Sequence, residues 1–256
     1  MTVLLEVKDL CRHFGGLHAV SELSFTVGAN ELVGLIGPNG AGKSTIFNLI
    51  NGVLRPDRGR VVFRGFDITG QPPHRVVRHG IARTHQIVQP LADMTVLENC
   101  TVSACFGAEN LPLGRAREVA CDVLALVGLE DRGEVPAGQL TIACKKRLEL
   151  ARALCARPAL LLLDEVLAGL NPTEVEHMIG VIRDIHKRGV AILMIEHLMQ
   201  AIMNLSHRVV VLNYGKKLAE GTPTEVVNDA GVITAYLGDT TIVQKAVRGS
   251  SAGSDM

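Results

Sequence analysis

The chain has 256 residues, 47% of them hydrophobic, and 26 Lys plus Arg stand against 26 Asp plus Glu. That length suits one large α/β domain or a domain carrying a subdomain, and the apolar share excludes disorder over most of it. Zero net charge without a basic stripe argues against a nucleic-acid partner.

The opening MTVLLEVKDL lacks a basic segment and carries acids within ten residues, so no signal peptide is read there. Residues 4–7 and 23–27 have strand character, punctuated by His13-Phe14-Gly15-Gly16. Residues 31–36 read as a buried strand that runs into a Gly-rich loop and then a helix with apolar positions at Ile46, Phe47, Ile50 and Val53. Arg55-Pro56-Asp57-Arg58-Gly59 is expected to end that helix, with a short strand at 60–63. From about residue 90 to 157 the character becomes helical, with helices predicted over 95–104, 115–127 and 145–156. Beyond it come a strand (160–163), a helix (173–188), a strand (190–195), a helix (198–205) and a strand (208–212). Strands alternating with helices imply right-handed crossovers and a mostly parallel sheet. The end, GSSAGSDM, reads as a loose tail.

The longest apolar runs, 159–163 and 190–195, fall far short of the ~18–20 residues that span a bilayer, so the chain is expected not to cross a membrane by itself. The six cysteines, at 11, 100, 105, 121, 144 and 155, form no CxxC and read as small core residues of a reduced protein.

Two motifs carry chemistry. Gly37-Pro38-Asn39-Gly40-Ala41-Gly42-Lys43-Ser44 matches the phosphate-loop pattern G-x-x-x-x-G-K-[ST] between a strand and a helix. The glycines let successive N–H groups turn inward, and the helix that follows adds its positive end. Lys43 is placed to reach phosphates, and the Ser44 hydroxyl to coordinate Mg²⁺. A Gly-rich turn can fit such a pattern by accident, but the strand and helix around it argue against that. The second motif is the apolar run 160–163 ending in Asp164 and Glu165. Ligands of open α/β sheets bind beyond the carboxyl ends of the strands. Asp164 therefore suits Mg²⁺, and Glu165 suits a general base that orients water.

With FGGLHAV, GIARTHQ, TVLENC, RLELARAL, AGLNPTE, EHLMQAIMNLSHRVVVLNYGKKLAEGTPTEV and AYLG, these motifs make the chain resemble the ABC (ATP-binding cassette) ATPase family from about residue 4 to 238. Within that family it is most similar to ATPase subunits of branched-chain amino acid importers, which have amide, urea and lipid transporter relatives. The resemblance implies a P-loop NTPase fold of ABC ATPase type. Its parts would be a mostly parallel sheet core (about 1–89 and 158–240), an N-terminal antiparallel β subdomain, an inserted helical subdomain (about 90–157) and a flexible tail (241–256).

It also implies roles. ATP and Mg²⁺ would be bound, with Phe14 stacking on adenine and Val20, Asn39, Gly40, Ala41, Gly42, Lys43, Ser44 and Thr45 on the nucleotide. Thr141 and Ala143 would cap the nucleotide of a second cassette. Ser44, Gln86 and Asp164 would serve Mg²⁺, and Glu165, His197, Gln86 and Lys43 catalysis. Expected partners are a second ABC ATPase subunit, transmembrane permease subunits and, indirectly, an extracytoplasmic solute-binding protein. The expected place is the cytoplasmic face of the inner or plasma membrane, held peripherally. A soluble ABC ATPase of cofactor assembly, or a weakly active regulatory cassette, are the competing readings.

Two sites depart from the family pattern. Where LSGGQ is usual, the chain has Leu140-Thr141-Ile142-Ala143-Cys144. Thr141 keeps a hydroxyl and can cap a helix, Ala143 adds a methyl, and Cys144 lacks the hydrogen bonds of Gln. This is either a variant tolerated by the subgroup or the mark of a pair with one strong and one weak site. Asn171 replaces the usual Asp of the loop 168–171 and, ahead of Pro172, makes a good helix N-cap. Val166 stands where Pro is frequent, and no function is attached to it.

Overall fold

The computed structural model describes residues 2–237. The expected tail at 241–256, the end of the core at 238–240 and the glycine of AYLG lie outside the described residues. The chain opens with a hairpin of β1 (Val3–Phe14) and β2 (Leu17–Gly28), turned at Gly15-Gly16 with Phe14 opposite Leu17. Both strands are longer than their apolar runs suggest. Register shifts between Val7 and Leu10 and between Leu10 and Arg12 realign the buried side chains, so pairing continues past the polar stretch.

Next come β3 (Leu32–Ile36), α1 (Lys43–Ile50), β4 (Arg58–Phe63) and β5 (Phe66–Asp67). Glu31 lies outside the strand predicted at 31–36: its carboxylate accepts the Gly28 N–H (2.6 Å) and a two-pronged contact from Arg208 (2.9 and 3.0 Å). Val53 is 54% exposed and not a core position of α1, because the helix stops at Ile50 and the chain turns at Asn51-Gly52. Then follow α2 (Pro73–His79), β6 (Ile81–Arg83), α3 (Val96–Cys105), α4 (Leu113–Leu126) and α5 (Ile142–Cys155). Helix α3 is fixed by a Thr95/Glu98 capping box. Helix α5 begins three residues earlier than its charge pattern suggests because the Thr141 hydroxyl accepts the Cys144 N–H (3.3 Å).

The chain closes with β7 (Leu160–Asp164), α6 (Pro172–Lys187), β8 (Ala191–Ile195), α7 (Met199–Leu205), β9 (Arg208–Asn213), β10 (Lys216–Gly221), α8 (Pro223–Val227) and α9 (Ala230–Leu237). Helix α6 starts at Asn171 in a capping box with Glu174, Pro172 being its first residue.

Two sheets result. One is antiparallel, in the order β2-β1-β4-β5; the other runs β10-β9-β3-β8-β7-β6, parallel except for β10 at its edge. Strands β3, β7 and β8 are buried at every residue, as expected of parallel strands covered on both faces. Their alternation divides the core in two. Leu161, Leu163, Ile192 and Met194 face the helical layer with α3, α4, α5 and α6, while Leu160, Leu162, Leu193 and Ile195 face α1 and the antiparallel sheet. Of the cysteines, 11, 100 and 155 are buried, 105 and 144 half-buried, and Cys121 is exposed rather than a core residue, being on the outer side of α4. Among the described residues, no helix is long and apolar enough to cross a membrane.

Candidate active site

Four neighbouring parallel strands, β3, β8, β7 and β6, end on the same edge of the sheet. Each sends a loop off that edge, and these loops carry most of the candidate residues. This is the crevice where an open α/β sheet binds ligands.

The loop from β3 to α1 is shaped by backbone demands. A Cβ at Gly37 would come within 2.4 Å of the Leu212 carbonyl oxygen; at Gly42, left-handed at φ 100°, it would come within 2.4 Å of the Ala19 oxygen. Gly40 faces open space. Gly42 caps α1 without a side chain, and the helix has no acid in its first turn, so its first N–H groups are left for an anion. Lys43 is buried, and its Nζ donates to the Gly37 and Pro38 carbonyls (2.7 and 3.0 Å). Burial lowers the Lys43 pKa, and the charges of Glu165 and Asp164 act against that shift. Ala41 is buried and offers only backbone, whereas Asn39, Gly40 and Ser44 are exposed and Thr45 half-buried.

Asp164, at the end of β7, is buried, and its Oδ2 accepts from Arg83 (2.7 Å). Arg83, at the end of β6, also donates to Asn48 Oδ1 on α1 (2.6 Å) and lies 5.5 Å from the centre of the Phe47 ring. Thr84 Oγ1 accepts the Asp164 N–H (3.1 Å). Glu165 follows in the left-handed region, φ 49°, which a side chain rarely adopts. Its two carboxylate oxygens are both engaged: Oε2 accepts from Gln86 Nε2 (2.5 Å) and Oε1 meets His197 Nε2 (2.6 Å). Three candidates distant in sequence thus meet on one carboxylate.

The remaining candidates separate. Phe14 is 43% exposed at the hairpin tip, with the Arg12 guanidinium 4.9 Å from its ring centre, so a flat apolar surface is available. Val20 is a correction: it is fully buried among Leu10, Leu23 and their neighbours, and no surface remains for a nucleotide. Thr141 and Ala143 stand at the start of α5, and among the described residues no hydrogen bond joins them to the phosphate loop. The Ala143 methyl is nearly buried, lining a cavity of about 180 Å³ with Leu170, His177 and Met178 of its own chain, while Ile142 is 70% exposed.

Three residues of the site escape sequence reasoning. Arg83 lies inside GIARTHQ, where only Gln86 is singled out. Glu196 directly follows β8, obeying the strand-end rule that finds Asp164; burial pushes its pKa up to about 7, against the pull of the Leu167 and His197 N–H groups and of Lys146. Lys146 sits buried on α5 in a run of charges, where nothing in the local pattern marks it as different from Lys145.

The donor set fits a nucleotide with a hard divalent cation. The glycine cradle leaves room for phosphates at Gly40, and the exposed Ser44 hydroxyl, the Asp164 carboxylate and the Gln86 amide are the oxygen donors such a cation takes.

Comparison with known proteins agrees with this geometry. A family model described as "ABC transporter" matches residues 20–168, and one described as "Branched-chain amino acid ATP-binding cassette transporter" matches residues 216–240. The high-affinity branched-chain amino acid transport ATP-binding protein BraF of Pseudomonas aeruginosa is 38% identical over 250 residues, covering 92% of this chain and 98% of the relative. LivG of Escherichia coli, a high-affinity branched-chain amino acid transport ATP-binding protein, gives the same identity and coverage. A crystal structure of an ATP-binding cassette of an ABC transporter in its ADP conformation superposes with a TM-score of 0.83 at 30% identity, covering 93% of this chain and all of the other. The chain therefore belongs to the ABC transporter family, as an ATP-binding cassette.

Proposed function

We propose that this cassette hydrolyses ATP to energise a membrane importer, and that the solute is a branched-chain amino acid or a related small polar molecule. The observation that carries the enzymatic part is the Glu165 carboxylate held by Gln86 and His197, beside a complete phosphate loop. Likeness to BraF and LivG supports the solute class.

In this reading the Lys43 ammonium exchanges two loop carbonyls for phosphate oxygens, and the open N–H groups of α1 hold the same anion. Ser44, Asp164 and Gln86 would hold Mg²⁺, which when bound would supply positive charge against that developing on the phosphates. Glu165 takes the proton of the attacking water. His197 and Gln86 orient that carboxylate and keep it from swinging into solvent. Phe14 stacks on the base. The chemistry is positioning and electrostatics; the protein forms no covalent bond to the phosphoryl group.

Gln86 and His197 are exposed, and Thr141 and Ala143, at the start of α5, make no hydrogen bond to them among the described residues. We assign them to the nucleotide of a second cassette, with residues 90–157 as the unit that moves on closure and contacts permease subunits at the cytoplasmic face of the membrane. A solute-binding protein outside the membrane would deliver the cargo. Because Ala143 turns its methyl toward its own chain, the altered signature keeps the capped start of α5 available. The exposed Ile142 is the observation that favours a second reading, a heterodimer with unequal sites.

The test is affinity purification of the Glu165→Gln variant from detergent-solubilised membranes with ATP present, with partners identified by mass spectrometry. Recovery of multi-span permeases and a second cassette is expected. Recovery of soluble proteins alone, with none of the chain at the membrane, would replace this reading with the cofactor-assembly one.

A further inference from the structure

The turn that presents Glu165 is strained and tightly held. Glu165 occupies the left-handed region at φ 49°, so the backbone there persists only where its surroundings fix it. Its N–H donates to the Ile195 carbonyl (2.9 Å), and its own carbonyl accepts from Ala168 N–H (3.3 Å). Two buried charged side chains, neither of which touches the candidate nucleotide residues of the phosphate loop, supply the rest.

The first is Lys146, from α5. Its Nζ donates to the Glu165 carbonyl (3.2 Å) and to the Val166 carbonyl (3.3 Å). The second is Glu196, from the end of β8. Its Oε1 accepts the Leu167 N–H (2.9 Å). The Val166 carbonyl and the Leu167 N–H are the two ends of one peptide group. In a trans peptide they point in opposite directions. Lys146 and Glu196 therefore grip the same peptide from its two sides, one turn past the carboxylate.

We infer that Lys146 and Glu196 form a clamp on the Val166–Leu167 peptide that positions Glu165 and links it to the start of α5 in the same chain. The inference rests on Glu165 being the base. Its physical content is transmission. Lys146 stands five residues after Thr141 on a helix that Thr141 itself caps. Whatever seats the start of α5 on a partner's nucleotide also sets the position of the Lys146 ammonium. A shift of that ammonium moves the carbonyl of Glu165 directly, with no intervening side chain. Glu196 anchors the other side to β8, next to His197, so the clamped peptide and one of the two residues that meet the Glu165 carboxylate share one fixed frame. Lys146 and Glu196 are positioning residues: neither is placed to touch substrate.

The test compares turnover and ATP affinity in the full-length chain, alone and in the membrane complex recovered with it. K146M removes the two donated bonds while filling the space, and K146Q is a second, polar form should the first not fold. Turnover should fall by up to about a hundredfold, the scale of an ångström-sized misplacement of a reacting group. ATP affinity should stay near that of the unaltered chain, Tm should fall because two carbonyls lose their donor, and K146R should restore turnover. E196L should act as K146M does, while E196Q, which keeps an acceptor oxygen, should retain most turnover. Turnover of K146M and K146Q within twofold of the unaltered chain overturns the clamp, as does loss of affinity in step with turnover without rescue by K146R. Glu165→Gln in the same assay separates the two levels. If it turns over normally, the base assignment itself fails; if it is inactive while K146M is not, the clamp alone fails.

Discussion

His197 Nε2 stands 2.6 Å from Glu165 Oε1, although 32 residues separate them in the chain. Two adjacent parallel strands, β7 and β8, end side by side and bring them together. Gln86, from the loop that follows β6, completes the arrangement on the other carboxylate oxygen. The carboxylate is thus held by two donors and has its remaining lone pairs for a water.

Glu165→Gln keeps the shape and removes the proton acceptor. We expect ATP affinity within a few-fold of the unaltered chain and turnover lower by at least ~100-fold, the usual contribution of a general base. Single-turnover hydrolysis beside equilibrium ATP binding measures both. A variant with near-normal turnover would remove Glu165 from the chemistry.

Lys43→Ala acts on binding instead. The ammonium is already desolvated and directed at the loop by two carbonyls, so its transfer to phosphate needs little reorganisation. Losing about two charge-assisted hydrogen bonds is worth ~3 kcal/mol or more, so ATP affinity should drop by at least ~100-fold. Calorimetric titration with ATP decides it: unchanged affinity would contradict the phosphate-loop assignment.

Arg83→Met isolates Asp164. The pair is nearly buried on both sides, and breaking such a pair leaves an uncompensated carboxylate at a cost of ~3 kcal/mol. That corresponds to a Tm lower by about 6–12 °C for a domain of this size. A divalent cation beside Asp164 offers a replacement charge. Mg²⁺ with ATP should therefore raise the Tm of Arg83→Met more than that of the unaltered chain. Equal shifts in the two proteins would mean that Asp164 does not face the metal.

The parts legible in the sequence are those where local pattern and final geometry coincide. The central strands are apolar throughout because they are buried on both faces, and the phosphate loop is a contiguous motif. The starts of α5 and α6 are marked by Thr141, Asn171 and Pro172, which cap by local chemistry, although the charge run after Thr141 makes α5 read as beginning at Lys145. The helix α8 carries an equally local signal, Thr222-Pro223 with Glu225. What pattern cannot show is assembly. β1 reads as a short strand because its bulges interrupt the alternation, and the burial of Val20, which the family resemblance sets on the nucleotide, comes from packing. Lys146 and Arg83 are ordinary charged residues in sequence, and only the meeting of α5 with β7, and of β6 with β7, gives them partners.

Glu196 gives a pH signature. Burial, and to a lesser degree the Glu165 charge, raises its pKa from 4.5 to about 7, against the Leu167 and His197 N–H groups and Lys146. Between those two values the folded chain holds a proton that the unfolded chain has released. Stability from this group therefore falls as pH rises from about 4.5 to about 7 and is level above that. The full span amounts to on the order of 3 kcal/mol. Glu196→Gln carries no such proton and keeps an acceptor for the Leu167 N–H, so it lacks the slope. Its Tm relative to the unaltered chain should climb from pH 5 to pH 7.5 and then stay constant. Thermal melts across that range read the difference directly. A Tm difference that does not change with pH would show that Glu196 is ionised in the folded chain throughout, with the Lys146 charge outweighing its burial.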